Sequence, residues 1–396
     1  METTQIAETP ELAQHDTLPE FPRLSGPLGS LVEGITHDIP YEYKAMSVLS
    51  YVGLALSGRT ELASPYDKLQ PRFYTCLVGP KGSGKSAAQK EVNKALEGLG
   101  NVSVEQSINS GPALVVALTE NHRLLYSPDE LNGAFQKAKA GSMFDDFKTL
   151  YEDNKISNRV KNKAPIVATG CHFAIIGGCT RDTFGKMWSG IRGSDELQSR
   201  FVLAFSEQCM PRRRTGSNND PVISLAVEEL KHVLSNVPTR IELPEQDGAF
   251  TEGLMGDGSH INLDYSRVVD MGRRFALIVA ACEGKTRIDD ETMKLGRAFI
   301  DYQIAAYEPL LPPDAKGFVE KYEKRILPFF EKHQPASFRD CRNNIRPENS
   351  PGGFGPFKSA WNNLVSTGKL LPAGDANRVG TVKYKLDTES ALPPAS

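Results

Sequence analysis

An α/β fold is predicted: a parallel sheet with flanking helices, a helical lid after it, and a small C-terminal module of three helices and a hairpin. Two observations carry this expectation. Between residues 72 and 205, short apolar stretches of strand length alternate with segments of helical period, the order that builds a parallel sheet covered on both faces. One of those stretches, Arg72–Val78, runs directly into a glycine-rich turn followed by a helical pattern.

The 396 residues suffice for two or three domains, and 39% hydrophobic with 24% charged residues is ordinary globular composition. No apolar run approaches the roughly 20 residues needed to cross a bilayer. The acidic, polar N-terminus lacks the basic-then-apolar layout of a secretory signal. Six scattered cysteines without a CxxC pair indicate neither a disulfide framework nor a zinc knuckle, and the seven histidines show no ligand spacing. A soluble, cytoplasmic protein is expected. Net charge is −3, but unevenly placed: residues 318–386 hold 12 Lys and Arg against 6 Asp and Glu, the remainder 34 against 43. A basic C-terminal module on an acidic body is the asymmetry to explain.

Residues 1–21 read as a flexible tail and 22–210 as the sheet-containing core with N-terminal helices. Leu28, Leu31, Val32, Ile35, Met46, Leu49, Val52 and Leu56 follow a helical period. Arg72–Val78 is a strand and Ala87–Leu99 a helix. Strands are expected at Val102–Val104, Arg123–Tyr126, Phe173–Gly177 and Phe201–Phe205, with helices at Pro112–Glu120 and Asp145–Tyr151 between them. The polar stretch 212–221 is the expected boundary. A lid at 222–312 follows, with helices Ile223–Leu234, Tyr265–Glu283 and Asp290–Tyr307, ended by Pro312 and Pro313. In 318–386, helices Phe318–Lys332, Ser337–Ile345 and Phe357–Thr367 precede strands Lys369–Leu371 and Thr381–Leu386, the order of a winged helix. Residues 387–396 form a second tail.

Gly79-Pro80-Lys81-Gly82-Ser83-Gly84-Lys85-Ser86 matches G-x-x-x-x-G-K-[ST] completely, with a strand before it and a helix after it. Such a turn curls its N–H groups toward phosphate oxygens at a helix N-terminus. Lys85 would neutralise the β- and γ-phosphates of ATP, and Ser86 would ligate Mg²⁺. The run Leu124–Tyr126, interrupted by Ser127 and Pro128, ends in Asp129-Glu130. Asp129 is the candidate for the Mg²⁺ shell and Glu130 for the base that takes a proton from the attacking water. Thr180, after the strand at 173–177, is the candidate for orienting that water.

Two further segments carry a resemblance. Ser199-Arg200-Phe201, opening the strand at 201–205, resembles the arginine-finger segment of AAA+ proteins of the minichromosome maintenance helicase type. The stretch from Leu150 to Thr180, with Lys155, Arg159, Lys161 and Lys163, is similar to the hairpin and sensor strand of those helicases. The layout over roughly residues 22–310 also resembles a bacterial and phage family of primase- or helicase-associated P-loop proteins. The resemblance implies a P-loop, AAA+-like ATPase in which Arg200 reaches the γ-phosphate of a neighbouring subunit, with Arg192 the runner-up. It implies a ring, expected to be hexameric, whose basic hairpin residues touch single-stranded DNA in the pore. A second sensing arginine would come from Arg267, Arg273 or Arg274. The usual Asp after Ser-Arg-Phe is Val202 here, the usual sensor Asn is Cys179 or Thr180, and no residues remain for an N-terminal DNA-binding collar.

In the C-terminal module, Lys358, Trp361, Asn362 and Asn363 lie on the helix a winged helix would place in the major groove, with Arg378, Lys383 and Lys385 on the wing. Trp361 is read first as core. The leading expectation is an ATP-driven oligomeric motor on DNA, a helicase or helicase-like replication factor of a mobile element, phage or plasmid, with a primase or initiator as a possible partner. The alternative is a nucleotide-gated DNA-binding loader or initiator that does not translocate. An ATPase that remodels proteins is a third reading, and a winged helix that binds protein would serve it.

Overall fold

The computed structural model describes residues 18–63, 68–139, 143–158, 165–188, 197–211, 216–243, 265–307, 310, 313–347, 354–373 and 383–386. The chain divides into two compact units, one of residues 1–250 with 266–307 and one of residues 251–265 with 308–396.

The first unit begins with helices α1 (Gly26–Gly34) and α2 (Tyr41–Leu56). Short strands β1 (Glu61–Ala63) and β2 (Lys68–Leu69) lead to β3 (Tyr74–Val78), then α3 (Lys85–Ala95) and β4 (Ser103–Glu105). Next come α4 (Gly111–Glu120), β5 (Arg123–Tyr126), α5 (Leu131–Lys139) and α6 (Met143–Glu152). Strands β6 (Lys155–Asn158) and β7 (Ile166–Thr169) pair antiparallel and precede β8 (His172–Cys179), α7 (Arg181–Trp188) and β9 (Phe201–Phe205). Helix α8 (Asp220–Asn236), β10 (Arg240–Glu242), α9 (Tyr265–Cys282) and α10 (Asp290–Tyr307) follow.

The main sheet has the order β4-β5-β8-β3-β9 and is parallel throughout. Every residue of β3, β8 and β9 is buried, which explains why these strands read as continuous apolar runs. Helix α2 is buried from Tyr43 to Leu56, so its apolar residues surround it instead of forming one stripe. The chain moves from β3 to the far edge, returns to β8, and then crosses to β9. The carboxyl end of β3 therefore stands where the connections diverge, the place at which open α/β sheets bind ligands.

The helices expected in the lid fall in the same compact unit as the sheet. Strand β9 ends the sheet, and its outer edge would leave backbone groups unpaired. Gln303 on α10 covers that edge: the Leu203 N–H donates to its Oε1 at 2.7 Å, and its Nε2 donates to the Leu203 carbonyl at 2.9 Å. The Tyr302 hydroxyl accepts from the Phe205 N–H, and the Tyr307 hydroxyl donates to the Phe201 carbonyl. Strand β10 pairs with β1, and Asn218 joins the Thr36 N–H to Glu91. These contacts bind residues 216–243 and 266–307 to the compact unit that holds the sheet. The first tail also ends earlier than expected, because Phe21 is buried edge-on against Tyr302.

Opposite the carboxyl ends of the strands lies a buried basic cluster. Arg72 is fully buried, and its guanidinium donates to Asn154 Oδ1 at 2.7 Å and to the carbonyls of Tyr151 and Asp153. The Arg72 Nη1 stands 3.2 Å from His172 Nδ1. Burial, then the charges of Arg72 and Arg123, hold the His172 pKa down to about 3. In the unfolded chain histidine titrates near 6.5, so unfolded molecules bind the extra proton between these values, and stability falls as pH drops through that window. Between pH 6.5 and 5, urea denaturation of His172→Asn should lose about 2 kcal/mol less stability than the wild type.

The second unit holds α11 (Pro313–His333), β11 (Ala336–Ser337), α12 (Phe338–Ile345), α13 (Phe354–Ser366), β12 (Leu370–Pro372) and β13 (Lys383–Leu386). Pro313 opens a helix here, as a proline can in the first turn, where its missing N–H has no partner to lose. A reciprocal cap between Ser337 and Asp340 starts α12. Strand β13 lies between β11 and β12, antiparallel to both. Phe330, Ile326, Cys341, Phe357, Leu364 and Leu370 form the core. Trp361 joins them, edge-on to Phe338 and Tyr384, in keeping with its reading as core. No helix among the described residues is long and apolar enough to cross a membrane.

Candidate functional site

Strand β3 ends at Val78 and the glycine-rich turn follows, closing at Gly84, the N-cap of α3. Gly84 has φ +93°, a left-handed conformation that a side chain would strain, and a Cβ there would also meet Met210 Sδ at 2.7 Å. Gly79 is required by proximity: an added Cβ would lie 2.1 Å from the Tyr43 hydroxyl oxygen and 2.4 Å from the Ser206 carbonyl oxygen. The loop is also tied to the segment after β9, since the Met210 N–H donates to the Gly82 carbonyl at 3.0 Å.

Lys85, on the first turn of α3, folds back over the loop. Its Nζ donates to the carbonyls of Gly79 and Pro80, each at 2.7 Å, and to Ser83 Oγ at 3.1 Å. Burial lowers its pKa below the ordinary lysine value. The lysine stem packs where Gly178 leaves room, 3.3 to 3.5 Å from the position of a Cβ there. The bonds continue inward. Tyr43 on α2 donates to the Val78 carbonyl at 2.7 Å, and its oxygen lies 3.3 Å from Ser83 Oγ. Lysine, serine and tyrosine thus form one line of hydrogen bonds from the ammonium to the end of β3. Tyr43 and the role of Ser83 were not legible as site features, since the tyrosine lies 40 residues from the loop with no local pattern to mark it.

Asp129 and Glu130 follow β5, which is separated from β3 by β8. Glu130 forms a parallel bridge with Gly178, itself paired with Leu77, so the acidic pair stands level with the start of the loop. Both side chains are exposed, and Asp129 lies 3.7 Å from Lys90 on α3. Ser127, which interrupts the apolar run, is buried and donates to Gln89 Oε1 on α3 at 3.0 Å. The polar break before the acids is therefore a contact to the helix that carries Lys85 and Ser86.

Thr180 stands at the end of β8, but its hydroxyl is engaged locally. It lies 3.0 Å from Thr183 Oγ1 and accepts from the Thr183 N–H, capping α7. Beside it a cavity of about 520 Å³ opens, lined by Gly79, Pro80, Lys81, Arg181, Asp182 and Glu207 among others.

Arg200 lies at the opposite end of the sheet. Phe201 is level with Tyr74, so Arg200 is level with Phe73, six residues before Gly79 and roughly 20 Å from the loop at ~3.3 Å per residue. It is buried at 7% exposure, with Nη2 3.4 Å from Glu152 Oε1 and its guanidinium over the Tyr151 ring. Arg267 reaches the same Glu152 oxygen at 2.6 Å. Arg274 is buried and donates to the Gln70 carbonyl, while Arg273 pairs with Asp270. The single chain thus gathers Gly79–Ser86, Asp129, Glu130 and Thr180 at one end and leaves Arg200 inward-facing at the other.

Lys155 is exposed on β6. Arg159, Lys161, Lys163 and Arg192 lie outside the described residues, as does Arg378. In the second unit Lys358 and Asn362 are exposed one turn apart on α13, with Lys383 and Lys385 exposed on β13. Asn363 is half-buried and donates to Glu323.

No protein-family model matches the chain, and no curated protein is significantly similar to it.

Proposed function

We propose that the chain is an ATP-hydrolysing P-loop protein that acts on DNA, its first unit an AAA+-like ATPase and its second a winged helix. The observation that supports this best is the Lys85 ammonium held at the Gly79 and Pro80 carbonyls, inside a glycine turn at the carboxyl end of β3. A cation fixed there, at a helix N-terminus, suits the β- and γ-phosphates of a nucleoside triphosphate. The Ser86 hydroxyl and the Asp129 carboxylate are hard oxygen donors of the kind Mg²⁺ takes together with phosphate and water. Bound there, the ion would neutralise phosphate charge. Among the described residues no group of three His, Cys, Asp or Glu forms a protein-only cage, and Mg²⁺ in nucleotide sites does not need one.

In this reading Lys85 holds the terminal phosphates while the Glu130 carboxylate accepts a proton from the attacking water. The water oxygen bonds to the γ-phosphorus as the bond to the β,γ-bridging oxygen breaks. That oxygen leaves with the electron pair on ADP, and the proton passes on to the released phosphate or to solvent. Arg200 can meet a nucleotide only across a contact between copies, and only after leaving Glu152. Its burial favours the second reading, a nucleotide-gated loader or initiator, over a continuously cycling ring helicase.

The DNA part rests on the exposed Lys358, Asn362, Lys383 and Lys385 of the second unit. Affinity for duplex DNA, measured by fluorescence anisotropy with the full chain, should fall steeply with salt. Replacing Lys358 and Lys383 together with alanine should reduce the slope of log K against log salt by about 1 to 2. A flat salt response would remove DNA from the account. Unwinding of a forked duplex separates the two readings: the motor requires it, and the loader binds without it.

A further inference from the structure

The end of β8 carries a second cation that the sequence reading passed over. Thr180 is the natural candidate there for contact with the reacting water, yet its hydroxyl is occupied as the cap of α7. That cap places Arg181 as the first residue of the eight-residue helix. Arg181 lines the cavity together with Gly79, Pro80 and Lys81. Gly79 and Pro80 are also the residues whose carbonyls hold the Lys85 ammonium. The cavity therefore adjoins the loop residues that hold the Lys85 ammonium, and Arg181 is part of its lining.

The partner that Arg181 has is weak. Its Nη1 stands 3.6 Å from Glu207 Oε1, and the two side chains are 48% and 73% exposed. An exposed pair at that distance is screened by water and readily exchanged. A γ-phosphoryl group offers the guanidinium two oxygens of a multiply charged acceptor, to which its forked donors fit better than an ammonium would. The positive end of α7 points the same way. Asp182 and Glu207 also line the cavity, so an arginine from another copy is the competing occupant.

We propose that Arg181 is a catalytic residue acting within its own chain, leaving Glu207 to donate hydrogen bonds to the γ-phosphoryl oxygens as charge spreads over them during transfer to water. This rests on the nucleotide reading above. The bonds made and broken are those already given; Arg181 moves no proton and stabilises only the charge.

The test uses the full chain with Mg²⁺ and ATP, with hydrolysis followed by phosphate release and binding measured with a non-hydrolysable ATP analogue. Arg181→Ala should lower kcat by about a hundredfold or more while analogue affinity changes by less than about threefold. Arg181→Lys should recover only part of the loss, and added guanidinium ion at non-denaturing concentration should partly restore Arg181→Ala. Glu207→Gln, which frees the arginine, should keep or raise kcat. If the wild type hydrolyses ATP and Arg181→Ala matches it, Arg181 has no catalytic role and the nucleotide reading stands. Equal losses in kcat and analogue affinity also overturn the proposal, since they describe a binding or folding defect. Wild-type turnover that vanishes on dilution, with Asp182→Asn as damaging as Arg181→Ala, assigns the cavity to another copy's arginine instead. A wild type that neither binds nor hydrolyses the nucleotide overturns both readings together.

Discussion

Lys85→Ala should lower ATP turnover by about 10²- to 10³-fold while leaving the fold intact. The ammonium is the only side-chain cation found bonded to the loop carbonyls among the described residues, at 2.7 Å to both Gly79 and Pro80. Without it the triphosphate charge would meet a glycine loop and a helix N-terminus alone. Losing one charged donor of this kind costs about 3 to 4 kcal/mol in the transition state, or 10²- to 10³-fold in kcat/KM. The side chain is half-buried on the first turn of α3, so thermal unfolding should move little. Lys81→Ala is the contrast: Lys81 is exposed on the same loop, and its loss should change turnover by less than tenfold. Equal losses for the two lysines would mean that loop charge in general, and not the placed ammonium, determines activity.

Arg72→Ala should be the most destabilising single change. Arg72 precedes β3 in full burial and supplies donors to Asn154, Tyr151, Asp153 and His172, all on segments that join the noncarboxyl end of the sheet. Burial and the neighbouring Arg274 lower its pKa to about 10, so it remains charged near neutrality. Removing it leaves several buried acceptors unpaired and opens a cavity, a combination that costs about 3 to 5 kcal/mol. Arg72→Lys should recover little, because one ammonium cannot span acceptors that the planar guanidinium reaches from two of its nitrogens. Denaturant titration of the full chain gives the number, and a loss below about 1 kcal/mol would show that water replaces the guanidinium without strain.

The parts of the fold legible in the sequence are those written in local patterns. Strands β5 and β9 fall where the apolar runs place them, and β8 needs only extension at both ends. The glycine turn was legible because its spacing and its flanking elements state the same thing. The cover of the sheet edge was not legible, because the bonds that join α10 to β9 span about 100 residues and no local pattern marks them. Arg200 shows the limit most clearly. Its triplet is local and conspicuous, but whether its guanidinium faces outward depends on Glu152, 48 residues earlier. Thr180 and Arg181 are the converse case. Both line the cavity beside the glycine turn, and the cap that Thr183 sets on α7 engages the Thr180 hydroxyl while Arg181 keeps its exposed ion pair with Glu207.

Equilibrium titration of the full chain with ATP and Mg²⁺ tests the central claim most directly. One triphosphate should bind per chain, weakened by at least tenfold when the metal is removed and by about a hundredfold or more in Lys85→Ala. A folded chain that binds no triphosphate at millimolar concentration, or binds it equally well without Lys85, would contradict the account.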